Sequence, residues 1–82
     1  MSNITVYALS TCPYCHQARA FLTEHGADFE VFEVDLMTGT ERDEAIEEVK
    51  RISGAARFPV SVLGEDVVIG FDPGGLTRLM GE

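Results

Sequence analysis

Cys12 and Cys15 are the only cysteines in this 82-residue chain, and only Pro13 and Tyr14 stand between them. A spacing of three puts both side chains on one face of a helix, where their sulfurs can meet. Pro13 suits the first helical position, because the N–H it lacks has no partner there and its φ is already helical. Cys12 then falls at the helix N-terminus, where unpaired backbone N–H groups and the macrodipole favour a thiolate. An accessible thiolate with a second thiol in reach can perform thiol–disulfide exchange: one sulfur attacks a disulfide and the other resolves the mixed disulfide that forms.

Other chemistries use the same residues. Cys12-x-x-Cys15-His16 matches the c-type haem attachment pattern, with Met80 as a candidate second axial ligand. That reading requires export, and the strand-rich pattern opposes it. Zinc or an iron–sulfur cluster is a third reading, although His16 and His25 lack finger spacing after the cysteine pair. What remains there is a cluster shared between two chains, one cysteine from each. The blander readings are inert buried thiols or a structural disulfide. In the redox reading His16 is an exposed residue of the first helical turn, near the thiolate.

The cysteine pair needs a strand before it and a helix under it. Ile4 to Leu9 is β-branched and aromatic and reads as a central strand closed by Ser10-Thr11. Pro13 to His25 reads as a helix, with Ala18, Phe21, Leu22 and His25 at helical spacing and Gly26 placed to cap it. Phe29 to Val34 reads as a second strand ending near Asp35, which makes a right-handed parallel βαβ unit. A second helix is expected over Glu41–Ser53, capped by Thr40 with Asp43 or Thr38 with Glu41, and stopped by Gly54. Its acidic run, Glu41 to Glu48, reads as a solvated face. Phe58 to Leu63 and Val67 to Ile69, joined by Gly64-Glu65-Asp66, read as a hairpin. Asp72 and Pro73 open a last helix that buries Leu76, Leu79 and Met80, with Gly74 and Gly75 weakening its first turn. The order is β-α-β-α-β-β-α: an α/β fold with a four-stranded mixed sheet flanked by helices, one domain over 1–82.

The composition, 45% hydrophobic and 24% charged, is that of a globular protein. A net charge of −8 argues against nucleic acid or an anionic membrane as partner. Met1-Ser2-Asn3 lead straight into a strand, and no long apolar stretch follows, so neither a signal peptide nor a membrane span is expected. A cytoplasmic location is the expectation, and there a C-x-x-C is more often catalytic or metal-binding than structural.

With these residues in place the sequence resembles the glutaredoxins, small members of the thioredoxin fold. The resemblance rests on the element order, Cys12-Pro13-Tyr14-Cys15, the proline after the second helix and the Gly70-containing turn before the last. It implies that Cys12 is the nucleophile and Cys15 the resolving thiol. It implies that Pro59 is cis and exposes the backbone of Phe58, which would hold an extended substrate by strand-like pairing. Tyr14 is a candidate substrate contact or plain loop filling, Phe71 a core or turn plug and candidate contact, Arg57 a partner for a substrate carboxylate or a solvated charge, Gly70 a candidate substrate contact, and Asp72, by the resemblance, a candidate contact for the glutathione ammonium. Glutathione-using members usually carry Thr-Val-Pro and a Gly-Gly-x-Asp-Asp-like turn, where this chain has Arg57-Phe58-Pro59 and Gly70-Phe71-Asp72-Pro73. The latter turn looks more like that of glutaredoxin-like redoxins that serve ribonucleotide reductase and draw on thioredoxin reductase. The expected activity is disulfide oxidoreduction by a monomer with no bound cofactor. Its expected partners are disulfide-containing proteins, with glutathione or thioredoxin reductase as electron donor.

Overall fold

A computed structural model describes residues 4–54 and 57–81; residues 1–3, 55–56 and 82 of the expected domain lie outside it. Its elements are β1 (Ile4–Ala8), α1 (Pro13–Glu24), β2 (Phe29–Glu33), a 3-10 turn (Val34–Leu36), α2 (Gly39–Ser53), β3 (Val60–Leu63), β4 (Asp66–Ile69) and α3 (Pro73–Leu79). The sheet order is β2-β1-β3-β4. β1 is central, as its apolar run requires, pairing parallel with β2 and antiparallel with β3. β3 and β4 form the hairpin, with Leu63 opposite Asp66 across a two-residue turn. The element order and mixed four-stranded sheet are those expected from the pattern, and the arrangement is the thioredoxin-like one that the resemblance implies.

Alternation along β1 divides the core in two. Ile4, Val6 and Ala8 point to one face, where they bury Cys15, Ala18 and Leu22 of α1 and Leu76 and Leu79 of α3. Cys15 is thus part of the core and cannot move without disturbing it. The other face of the sheet takes Ala45 and Val49 of α2, with Val34 and Val60. Leu22 is fully buried where α1 meets β1. Leu22→Ala is expected to cost about 2–5 kcal/mol in chemical denaturation, since a cavity there has rigid walls.

Several boundaries differ from the sequence reading. β1 ends at Ala8 rather than Leu9, because the Leu9 N–H turns to the Cys15 sulfur. α1 ends at Glu24 with His25 as its cap residue and Gly26 in the left-handed region just beyond. β2 ends at Glu33, and Val34 enters the 3-10 turn that buries it. α2 begins at Gly39, not Glu41; Thr38 is the N-cap and makes no side-chain capping bond, while Thr40 lies inside the helix. Gly39 has φ +61, so the chain is turned into α2 by backbone freedom rather than by a capping side chain. β3 starts at Val60, after the cis proline, and Asp66 joins β4 rather than the turn. α3 includes both glycines: a Cβ on the buried Gly75 would sit 2.8 Å from Asp72 Oδ2 and 3.1 Å from Val68 Cγ1. Close packing therefore accounts for a glycine that helix propensity alone disfavours. Among the described residues no helix is long and apolar enough to cross a membrane.

Candidate active site

Cys12 is the N-cap residue of α1, with extended backbone, and Pro13 follows at the start of the helix. Its N–H donates to the Leu9 carbonyl at 3.2 Å, closing a turn, and its carbonyl accepts from the His16 N–H at 3.2 Å, opening the helix. One residue thus ends the loop and begins α1, which leaves its side chain beside the orphan N–H groups of the first turn. Cys12 is partly exposed, whereas Cys15, one turn on, is only 1% exposed; both are free thiols.

The Cys15 sulfur accepts a 3.4 Å hydrogen bond from the Leu9 N–H. Burial pushes the Cys15 thiol up to about 11; the Leu9 bond pulls it down, and a hydrogen bond with Cys12 adds to the rise. At neutral pH Cys15 is therefore protonated, with a backbone donor already aimed at its sulfur. An exposed sulfur and a buried, masked sulfur are two different reagents on one helical turn.

The Phe58–Pro59 bond is cis, as the resemblance implied. Pro59 is buried and accepts at its carbonyl a 2.7 Å bond from the Gly70 N–H. That bond draws the Gly70-Phe71-Asp72 turn onto the end of β3. Phe58, Phe71 and Cys12 are all partly buried against the cluster that contains Cys15, and Phe71 meets Phe21 edge-on at 6.2 Å. Of the candidate residues, then, Cys12, Cys15, Phe58, Pro59, Gly70 and Phe71 share one neighbourhood. Tyr14 is 62% exposed on the helix carrying the cysteines. Arg57 is exposed just before Phe58, and Asp72 is the exposed N-cap residue of α3, making no side-chain cap bond.

The link between Ser10 and Asp35 escaped the sequence reading, and His16, expected as an exposed first-turn residue near the thiolate, has a defined partner. The Ser10 N–H donates to Asp35 Oδ1 at 2.8 Å, and the Ser10 hydroxyl donates to Asp35 Oδ2. These bonds, the hydroxyl's first, hold the Asp35 carboxyl below its usual range. His16 Nε2 lies 2.6 Å from the Ser10 carbonyl. A carbonyl only accepts, so Nε2 carries the proton. No local signal announces these contacts: Ser10 and Asp35 are 25 residues apart and meet only because β1 and β2 lie side by side.

The haem reading needs the Cys15 sulfur and His16 Nε2 offered to a ligand, and both are otherwise engaged. Among the described residues no group of three or more His, Cys, Asp or Glu side chains could hold a metal ion.

Known proteins resemble this chain in sequence and in fold. A family model described as glutaredoxin matches residues 4–68. The glutaredoxin-like protein NrdH of Escherichia coli K12 is 32% identical over 77 residues, covering 94% of this chain and 88% of the relative. Glutaredoxin 3 of the same strain is 43% identical over 35 residues, covering 43% of this chain and only 42% of that relative. Among solved structures, the glutaredoxin grx-1 of Archaeoglobus fulgidus superposes with a TM-score of 0.92 at 40% identity, over 100% of this chain and 89% of that one.

Proposed function

The chain belongs to the glutaredoxin family, and from that membership we propose that it is a thiol–disulfide oxidoreductase working through Cys12 and Cys15. The observation that carries this reading is the pairing of a partly exposed Cys12 at the α1 N-terminus with a buried Cys15 one turn on, whose sulfur accepts from the Leu9 N–H. Cys12, as thiolate, attacks one sulfur of a substrate disulfide; the Cys12–substrate S–S bond forms, the substrate's own breaks, and the far sulfur leaves as a thiolate. Forming that bond removes the Cys12 hydrogen bond and charge that help keep Cys15 protonated. Cys15 then gives its proton to the departing thiolate, and the Leu9 N–H supports the sulfur as it becomes an anion. Attack by Cys15 on Cys12 expels the second substrate thiolate, which takes a proton from water. The substrate disulfide has gained two electrons and the protein has gained a Cys12–Cys15 disulfide.

The substrates in this reading are disulfides of proteins or of glutathione adducts, held in extended form against the Phe58 backbone beside Pro59. Tyr14 and Phe71 line that approach, Arg57 takes a carboxylate, and Gly70 and Asp72 frame the far end, with Asp72 taking an ammonium. The proposed setting is a reducing compartment, the cytoplasm, and the proposed state is a monomer without a bound cofactor.

Electrons return from glutathione or from thioredoxin reductase. The oxidised protein, incubated separately with glutathione plus glutathione reductase and with thioredoxin reductase plus NADPH, is expected to regain both thiols in at least one. Reduction by glutathione that Arg57→Ala and Asp72→Ala slow makes those residues its contacts. Reduction by thioredoxin reductase alone makes this a glutaredoxin-shaped member of the thioredoxin pathway. Failure of both sinks the oxidoreductase reading.

A further inference from the structure

The turn that presents Cys12 is held from outside. Leu9 to Cys12 is closed by its own 3.2 Å bond, and Leu9 binds the Cys15 sulfur. Ser10, inside the turn, has every polar group occupied by another element. Its N–H and hydroxyl go to Asp35, in the 3-10 turn after β2, and its carbonyl takes the proton of His16 on α1. Asp35 and His16 are both exposed and lie outside the core. An exposed side chain that spends its hydrogen bonds on one loop residue restricts that loop, and this loop sets where the Cys12 sulfur stands relative to Cys15.

We propose that Asp35 and His16 are positioning residues, which act through Ser10 to hold the Cys12 turn so that the Cys15 sulfur can reach Cys12 in line with the mixed disulfide. The inference rests on the dithiol reading and adds to it the groups that align the two sulfurs. Attack along an S–S axis is direction-sensitive, and a misplacement of about 1 Å can cost up to about 100-fold in rate. The intermolecular first step is less exposed to this, since a free disulfide adjusts to the sulfur it meets. The intramolecular second step has no such freedom.

The test follows the two steps separately. Reduced protein is mixed in stopped flow with the aromatic disulfide 5,5′-dithiobis(2-nitrobenzoate), which releases one coloured thiolate when Cys12 attacks and a second when Cys15 resolves. Asp35→Ala and His16→Ala are each expected to slow the second phase about tenfold while slowing the first less. Asp35→Asn can still accept from the Ser10 N–H and bond its hydroxyl, and His16→Gln can still donate to the Ser10 carbonyl. Both are expected to stay within about twofold of the original protein, a rescue that a charge effect or a general loss of packing would not give. The clamp is overturned if the second phase is unchanged in both alanine variants, or if the Asn and Gln variants lose as much as the alanines. Two normal phases in the original protein with no effect of these variants leave the dithiol reading intact without the clamp. Absence of the second phase in the original protein removes both.

Discussion

Cys12→Ser is expected to reduce disulfides no faster than the buffer does, while Cys15→Ser accumulates as a mixed disulfide with its substrate. Serine nearly preserves the shape of each site, so the losses report chemistry rather than folding. At position 12 the hydroxyl is not a sulfur nucleophile, and the neighbouring thiol cannot substitute for it: Cys15 is 1% exposed and held protonated by its burial. At position 15 the first attack still occurs, but nothing within reach can expel the substrate. An excess of glutathione then rescues turnover only to the extent that it enters and attacks from outside. Initial rates with a protein disulfide, followed by mass analysis of the protein, distinguish the two variants. Normal turnover by Cys12→Ser would contradict the assignment of the nucleophile.

The second large effect is selective alkylation. At neutral pH iodoacetamide is expected to modify Cys12 and leave Cys15 untouched until the protein is unfolded. Moving a thiol from 9.0 to about 11 lowers its thiolate population at neutral pH about 100-fold, and burial further blocks the reagent. The same shift sets a pH dependence of stability. Because the folded protein holds the Cys15 proton more tightly than the unfolded chain does, the stabilisation is complete below the ordinary thiol range. It is lost as pH rises towards about 11. Denaturant midpoints measured from neutral to alkaline pH should fall in that window for the original protein and less for Cys15→Ala. Equal labelling of both thiols in the folded protein would mean that Cys15 is not the masked partner described here.

Much of this was legible in the chain. Cys12-Pro13-Tyr14-Cys15 between a β-branched run and an apolar helical stripe locates the helix start, because proline and cysteine spacing are local signals. The central position of β1 follows from its β-branched and aromatic composition, and the parallel pairing of β1 with β2 from the helix between them. The cis proline came from family resemblance, since nothing in Arg57-Phe58-Pro59 itself dictates the isomer. What could not be read depends on three-dimensional proximity. Asp35 looks like the polar end of a strand, and only the register of β1 on β2 brings it to Ser10. Gly75 looks like a helix weakness until the Asp72 carboxylate and Val68 are seen against it. Thr38 and Thr40 both resemble caps, yet Gly39 decides where α2 begins through a backbone angle that composition does not reveal.

The most direct test of the central claim, that Cys12 and Cys15 act as one dithiol, is the mass of the reduced protein after one equivalent of a small disulfide. The protein is expected to lose two hydrogens with no adduct and to leave no thiol for iodoacetamide after unfolding. A stable adduct on Cys12 with Cys15 still free to alkylate would contradict that claim.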